Sequence, residues 1–316
     1  MRELSKIAFI FPGQGAQYIG MGREIACKYP ASEEIFKKAS NALNYDIEEM
    51  IFEGDEETLK ITENTQPAIL TASISGMQPL LEAGIIPYCT AGLSLGEYSA
   101  HVAAGTILFE DAVKLVRKRG SFMQEAVPVG EGATAAIIGL DSQAVIDACD
   151  EASVSGIVAP ANFNCPGQVV VSGETEAVQM LTEICLKKGA KRALILPVSA
   201  PFHCGLLRPA GEKLSKELEK IDFHEMQIPV IANVNAKAIT DKNEAKELLV
   251  KQVSNSVLWE ESIRTMVNMG IDTFIEIGPG KVLTGFVKRT VKEARALNVE
   301  NIASLETTLN ELKNTN

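Results

Sequence analysis

Short runs of β-branched and aromatic residues alternate along the chain with longer stretches of helical spacing, and this alternation predicts an α/β fold. Ile7–Phe11 is a continuous apolar run, read as a buried strand and ended by Pro12-Gly13-Gln14-Gly15. Gly13, Gly15 and Gly20 make the following loop one in which backbone can approach a ligand closely. Ser32–Leu43 and Asp55–Leu59 read as helices, and Gln66–Ala83 as a helix kinked at Pro79. Tyr88–Ala91 is a short buried strand, Gly92–Gly96 a turn, and Glu97–Ala104 the start of a helix.

The middle of the chain has a different rhythm. Ala133–Ile138 reads as a strand, and Asp141 is a good N-cap for a helix over Ser142–Ala152. Ile157–Ala161 and Gln168–Ser172 read as strands around the turn cluster Asn164-Cys165-Pro166-Gly167. Glu174–Lys188 is a helix closed by Gly189, followed by a strand over Lys191–Leu196. The order βαββαβ matches a ferredoxin-like unit. Pro128–Gly132 and Pro197–Pro201 are its expected hinges. The predicted organisation is a large domain over 1–129 and 199–316, with a small domain over 130–198 inserted into it. Beyond the insert, Gly211–Lys220 reads as an amphipathic helix, Val230–Asn233 and Thr273–Ile277 as strands, and Val282–Ala294 as a helix after Gly278-Pro279-Gly280. The polar tail after Ser304 is expected to fray or pack loosely.

Composition narrows the function classes. The chain has 316 residues, 46% hydrophobic, with a net charge of −11. Nucleic acid is not expected as principal partner, because phosphate binding needs a basic field. No apolar run is long enough to span a bilayer, so membrane insertion is not expected, and the N-terminus lacks the features of a signal peptide. Six scattered cysteines with no CxxC pair read as reduced thiols, which points to a cytoplasmic protein without a zinc site.

The chemistry centres on Gly92-Leu93-Ser94-Leu95-Gly96. A Gly-x-Ser-x-Gly turn between strand and helix holds its serine on a strained bend, with Oγ projecting above the sheet. The pattern alone is weak, since an ordinary βα turn with a capping serine has the same letters. Stabilising an oxyanion takes two backbone N–H groups. Leu95 supplies one, and Gln14 in the glycine loop is the best-placed source of the other. That loop fits neither a P-loop nor a dinucleotide fingerprint.

Only three histidines are available as a base. His101 follows Ser94 by two helical turns, about 10 Å along the axis and beyond hydrogen-bond reach. It reads as a partly buried helix histidine. His224 lies in a charged stretch and reads as a surface residue. His203, in Pro201-Phe202-His203-Cys204-Gly205 beside the expected hinge, is the favoured base. Asp222 and Asp272 are open possibilities for orienting it, and spacing singles out neither. Arg119, within Arg117-Lys118-Arg119, reads by itself as a solvated charge at a helix end.

Six motifs in order resemble those of malonyl-CoA:acyl carrier protein transacylases. They are Phe11-Pro12-Gly13-Gln14-Gly15-Ala16-Gln17, Gly92-Leu93-Ser94-Leu95-Gly96-Glu97-Tyr98, Arg119-Gly120 with Met123-Gln124, Asn162-Phe163-Asn164 with Pro166-Gly167-Gln168, Pro201-Phe202-His203, and Glu276-Ile277-Gly278-Pro279-Gly280. Any one of these is unspecific, whereas six in order over nearly the whole chain form a specific signal. The resemblance implies a hydrolase-like large domain with a parallel-sheet core and a ferredoxin-like insert. It also implies Ser94 as nucleophile, His203 as base, and Gln14 and Leu95 as oxyanion amides. Arg119 matches the arginine that pairs with the malonyl carboxylate, and Gln252 the glutamine whose carbonyl orients the histidine. Phe202 matches the bulky residue of malonyl-selective members.

The implied reaction moves malonyl from malonyl-CoA to an acyl carrier protein through malonyl-Ser94, with no bound cofactor or metal, in fatty acid synthesis. A stand-alone polyketide acyltransferase, a serine thioesterase or hydrolase, and a non-catalytic carrier-docking protein are the alternatives. Leu93 departs from the family, which usually has histidine before the nucleophile, and this bears on the pathway more than on the chemistry. An acidic carrier needs a local basic landing site, for which Lys187, Lys188, Lys191 and Arg192 form one candidate and Lys281, Lys288 and Arg289 another.

Overall fold

The computed structural model describes residues 5–128, 130–196 and 201–313. Among the described residues, ten strands form two sheets: β1 (Ile7–Phe11), β2 (Cys89–Gly92), β3 (Gly132–Ile138), β4 (Val158–Cys165), β5 (Gln168–Glu174), β6 (Arg192–Ile195), β7 (Val230–Ile231), β8 (Ala238–Ile239), β9 (Thr273–Ile277) and β10 (Arg295–Val299). The first sheet has the order β10-β9-β1-β2-β7-β8 and is parallel except for the β7–β8 pair. The second has the order β4-β5-β3-β6 and is antiparallel throughout.

The two sheets bury themselves differently. In β1, Phe9 and Phe11 pack into one apolar cluster, while Ala8 and Ile10 pack into a second on the opposite face. Both faces are covered, which is why β1 reads as an unbroken apolar run. In the antiparallel sheet, Ala135, Ile137, Val169 and Val171 share a cluster with Val145, Ala148, Val178 and Leu181 of helices Ser142–Ala152 and Thr175–Lys187. Thr134, Ala136, Val170 and Ser172, one residue out of phase, point the other way and line a cavity. Asp141 caps helix Ser142–Ala152, as its sequence predicts, by accepting the Gln143 N–H.

The parallel register fixes the position of the cavity. Phe11 pairs with Gly92, and Ile10 with Glu276. The loops after β1, β2 and β9 therefore leave the sheet at the same edge, at the carboxyl ends of adjacent strands, where open α/β sheets place their ligands.

Several expectations change. The helix expected over Gln66–Ala83 runs from Thr62 to Glu82, through Pro67 as well as Pro79. The strand at Val230 ends at Ile231, which frees Asn233 for another use. Helix Val282–Thr290 stops before β10, a strand that the sequence pattern did not disclose. The tail after Ser304 does not fray: Ile302–Lys313 is a helix with Leu305, Thr308 and Leu312 buried. Its apolar positions are sparse but share one face, and the Thr308 hydroxyl donates to the Asn298 carbonyl of β10. Helices Phe109–Ala126, Lys242–Gln252 and Trp259–Asn268 also lie outside the predicted elements. Of the expected hinges, Val129 and residues 197–200 lie outside the described residues.

Candidate active site

Ser94 sits between β2 and helix Gly96–Ala103 with φ of 53°, a left-handed conformation strained for a non-glycine residue. The flanking glycines permit the bend. A Cβ at Gly92 would stand 1.9 Å from the Gly96 carbonyl carbon, and one at Gly96 2.1 Å from the Phe11 carbonyl oxygen. Asn233, beyond the neighbouring strand β7, holds the bend in place. Its Oδ1 accepts the Ser94 N–H at 2.7 Å, and its Nδ2 donates to the Gly92 carbonyl at 2.7 Å. Nothing in the local sequence marks Asn233; only its place at the carboxyl end of a strand beside β2 would have drawn attention to it.

His203, also at positive φ (58°), brings Nε2 to 2.6 Å from the Ser94 Oγ. Its Nδ1 lies 2.7 Å from the main-chain carbonyl of Gln252. A carbonyl can only accept, so Nδ1 carries the proton and Nε2 is left to accept from the serine hydroxyl. Burial pushes the imidazole down to about 4, with the Arg119 charge acting in the same direction. At neutral pH the ring is an uncharged base. Neither Asp222 nor Asp272 orients it. Both are exposed, and the Asp272 carboxylate accepts the hydroxyl of Thr273 at 2.7 Å.

Arg119 is not the solvated helix-end charge that its basic neighbours imply. It lies within helix Phe109–Ala126 and is 1% exposed. The helical turn sends Arg117 over the Tyr45 ring and Lys118 to Glu217, while Arg119 points inward. Its guanidinium donates to Gln66 Oε1 and Gln252 Oε1, each at 2.9 Å, and to Ser94 Oγ at 3.2 Å. All three partners are uncharged.

Gln252 ties the parts together. Besides its carbonyl at His203 and its Oε1 at Arg119, its Nε2 donates to the Ser94 carbonyl at 2.9 Å and to Glu97 Oε2 at 2.6 Å. Glu97 is fully buried in the first turn of the helix behind the nucleophile, and its Oε2 also accepts the Asn233 N–H at 3.3 Å. Gln66, Asn233 and the inward role of Glu97 are the parts of this site that sequence reasoning did not find.

These groups open into a cavity of about 690 Å³. Gln14, Ser94, Leu95, Arg119, Phe202 and His203 line one side, and the outward face of the antiparallel sheet lines the other. Among the described residues, the backbone N–H groups of Gln14 and Leu95 have no hydrogen-bond partner. Leu93 also borders the cavity and packs against the cluster containing Phe286 and Leu283, so an apolar wall stands beside the nucleophile. His101, two turns further along the helix, is fully buried, and burial pushes it down to about 3. His224 is exposed.

Residues 8–314 match the family model described as an acyl transferase domain. The chain is 48% identical to the malonyl CoA-acyl carrier protein transacylase of Bacillus subtilis over 314 residues, covering 99% of each chain. It is 47% identical to the crystal structure of the enzyme of that name from Clostridium perfringens, with a TM-score of 0.96 and 98% of each chain covered. It is 46% identical to a malonyl-transacylase solved in complex with its type II PKS acyl-carrier protein, with a TM-score of 0.95, covering 97% of this chain and 100% of the other. The chain belongs to the malonyl CoA-acyl carrier protein transacylase family of acyltransferases.

Proposed function

We propose that the protein transfers malonyl from malonyl-CoA to the phosphopantetheine thiol of an acyl carrier protein, with Ser94 carrying the acyl group between the two thiols. The observation that carries this reading is Arg119: a buried guanidinium whose hydrogen bonds all go to uncharged groups, one of them the Ser94 Oγ. A buried cation so placed is suited to the carboxylate of a short dicarboxylic acyl group, which its planar fork can grip by two parallel bonds. Ordinary ester or thioester hydrolysis has no need of it.

His203 Nε2 takes the Ser94 proton as Oγ attacks the thioester carbonyl, and the Gln252 carbonyl holds the imidazole as it becomes charged. The N–H groups of Gln14 and Leu95 receive the oxyanion. Collapse of the tetrahedral intermediate expels CoA as its thiol takes the proton from His203. In the second half, His203 removes the proton of the carrier thiol, which attacks malonyl-Ser94 and regenerates the serine. Phe202, half-buried at the cavity, crowds an α-methyl branch and favours malonyl over methylmalonyl. No bound cofactor or metal is required by these steps.

The strand order β4-β5-β3-β6, the two helices on one face and a separate apolar cluster support reading 130–198 as an inserted ferredoxin-like domain. The parallel sheet and the elbow support reading 1–129 and 199–316 as a hydrolase-like catalytic domain. The carrier's acidic surface fits the cluster Lys281, Lys288 and Arg289 better than Lys187, Lys188, Lys191 and Arg192. Val282, beside Lys281, lines the cavity mouth, and Arg289 reaches across to Gln168 of β5 at 2.8 Å. The free cysteines support a cytoplasmic setting. Fatty acid synthesis is the pathway we assign first, and a polyketide carrier is the alternative.

Intact-mass measurement after mixing with malonyl-CoA tests the function. A malonyl adduct, lost in Ser94→Ala and discharged by carrier protein, is expected. Free malonate released at the rate of CoA release would make the protein a hydrolase, and no adduct would make it a docking protein.

A further inference from the structure

Glu97 has no part in the chemistry above, yet its carboxylate is buried one amide away from the nucleophile and the arginine. Its Oε2 accepts from Gln252 Nε2, while its Oε1 has no hydrogen-bond partner among the described residues. An ionised carboxylate can only accept. It therefore compels the Gln252 side chain to present its NH₂ end, and the same orientation turns Oε1 of that amide toward Arg119. Reversing the amide would set its N–H groups against the guanidinium and leave Arg119 with only the Gln66 and Ser94 oxygens as acceptors. Glu97 thus fixes, through one side chain, the Gln252 acceptor that holds Arg119 beside the Gln66 one.

The same geometry creates a charge problem. With Glu97 ionised, the empty site holds one buried cation and one buried anion, Arg119 and Glu97, separated by a neutral amide. Adding an acyl carboxylate at Arg119 brings a second anion to a single cation in a low-dielectric interior, where like charges raise each other's proton affinity. We propose that Glu97 is a positioning residue and the buried counter-charge of Arg119, and that it takes a proton from solvent on Oε1 when an acyl carboxylate occupies Arg119. This rests on the reading of Arg119 as the carboxylate's partner.

The surroundings of Glu97 support such a change. Burial pushes its carboxyl up to about 7, against the lowering influence of the Gln252 and Asn233 N–H groups and the Arg119 charge. Other ionisable groups near it stay neutral. Burial raises Tyr98 and Cys89 to about 12, and lowers His101 to about 3 and His203 to about 4. Strands β1 and β7, packed against the same helix, carry no ionisable side chain, helix Thr62–Glu82 has only Glu63 and Glu82, near its ends, and of the ionisable residues of helix Phe109–Ala126 (Glu110, Asp111, Lys114, Arg117, Lys118, Arg119 and Glu125) only Arg119 is buried. Protonation at Oε1 leaves Oε2 accepting from Gln252, so the amide keeps its orientation while the net charge of the site returns to zero.

Calorimetry on the Ser94→Ala protein tests this without turnover. Malonyl-CoA and acetyl-CoA are titrated at pH 8 in buffers of different ionisation enthalpy, and the acetyl-CoA result cancels proton exchange by the CoA moiety. The expected result is an uptake approaching about one proton for malonyl-CoA over acetyl-CoA, abolished in Ser94→Ala/Glu97→Gln. Tighter binding of malonyl-CoA with no difference in protons would overturn the proposal and leave the Arg119 reading standing. Equal affinity for the two donors would remove the Arg119 reading itself. If the double variant does not fold, infrared difference spectra of the Ser94→Ala protein decide: a deuterium-sensitive protonated-carboxyl band specific to malonyl-CoA is expected. An uptake without that band would assign the proton to His203 and overturn the proposal.

Discussion

The two sheets that bound the cavity divide the work unevenly. The parallel sheet, covered on both faces, and the helices and loops packed on it gather the reactive groups at its carboxyl edge: the strained Ser94, the neutral His203 and the buried charges of Arg119 and Glu97. The antiparallel sheet, covered on one face, offers Thr134, Ala136, Asn164, Val170 and Ser172, with no charge among them. Thr134 and Ser172 hydroxyls even satisfy each other, at 2.8 Å. Strain and buried charge need a surrounding that cannot relax, which a doubly covered sheet provides. A half-covered sheet can present a smooth neutral wall that guides a flexible arm. On this view one wall sets rate and the other sets affinity.

Substitutions can break that division. His203→Ala is expected to have the largest effect, reducing Ser94 acylation by up to about 10⁴-fold, the upper end of the 10²- to 10⁴-fold range for loss of a general base. Stopped-flow measurement of CoA release would check it. The acid limb of the acylation rate in the unmodified enzyme should fall near pH 4 rather than 6.5, because the folded pKa of His203 is lowered and the ring stays a base until that point. Arg119→Ala should cost roughly 10²-fold in kcat/KM for malonyl-CoA, the scale of a lost buried charge-assisted pair, with a smaller loss for acetyl-CoA. Equal losses for both donors would refute its role as the carboxylate's partner.

On the other wall, Asn164 is buried and lines the cavity, and its Oδ1 has no hydrogen-bond partner among the described residues. Asn164→Ala is expected to raise KM for malonyl-CoA about five- to ten-fold, the value of one hydrogen bond, and to leave kcat unchanged. A fall in kcat of about ten-fold or more for Asn164→Ala would erase the distinction between the walls.

The smallest effect on rate belongs to His101→Leu, expected to change transfer by less than about two-fold, since this histidine packs near Phe223 and touches no reacting group. Its effect on stability is the informative one. His101 has a folded value of about 3 against about 6.5 unfolded, so the unfolded chain binds the proton that the folded one refuses, and stability falls as pH drops through 6.5. Urea midpoints at pH 7 and pH 5 should therefore differ less in His101→Leu than in the unmodified protein.

Legibility in the sequence followed the range of the interactions. Helix Ser142–Ala152 and strand Thr273–Ile277 were readable to the residue, because a capping Asp141 and a short strand-forming run closed by Gly278-Pro279-Gly280 are local signals. Helix Ile302–Lys313 was misread as a loose tail, because its few apolar residues gain their meaning only from β10 and the helix face they meet. Arg119 taken alone looked like one of three surface cations, and the resemblance to a family, not its local sequence, pointed it toward the site.

The chain by itself determined the α/β alternation, the elbow at Ser94 and the choice of His203 over two other histidines, since each depends on short-range pattern or on elimination. Tertiary structure alone decided what holds them. The Gln252 amide reaches the Ser94 carbonyl across 158 residues, and Asn233 reaches the Ser94 N–H across 139. A carbonyl that replaces the usual acid has no side-chain signature, because every residue has one. Which carbonyl serves is settled by strand order and helix packing, and so is the meeting of Glu97, Gln252 and Arg119 behind the nucleophile.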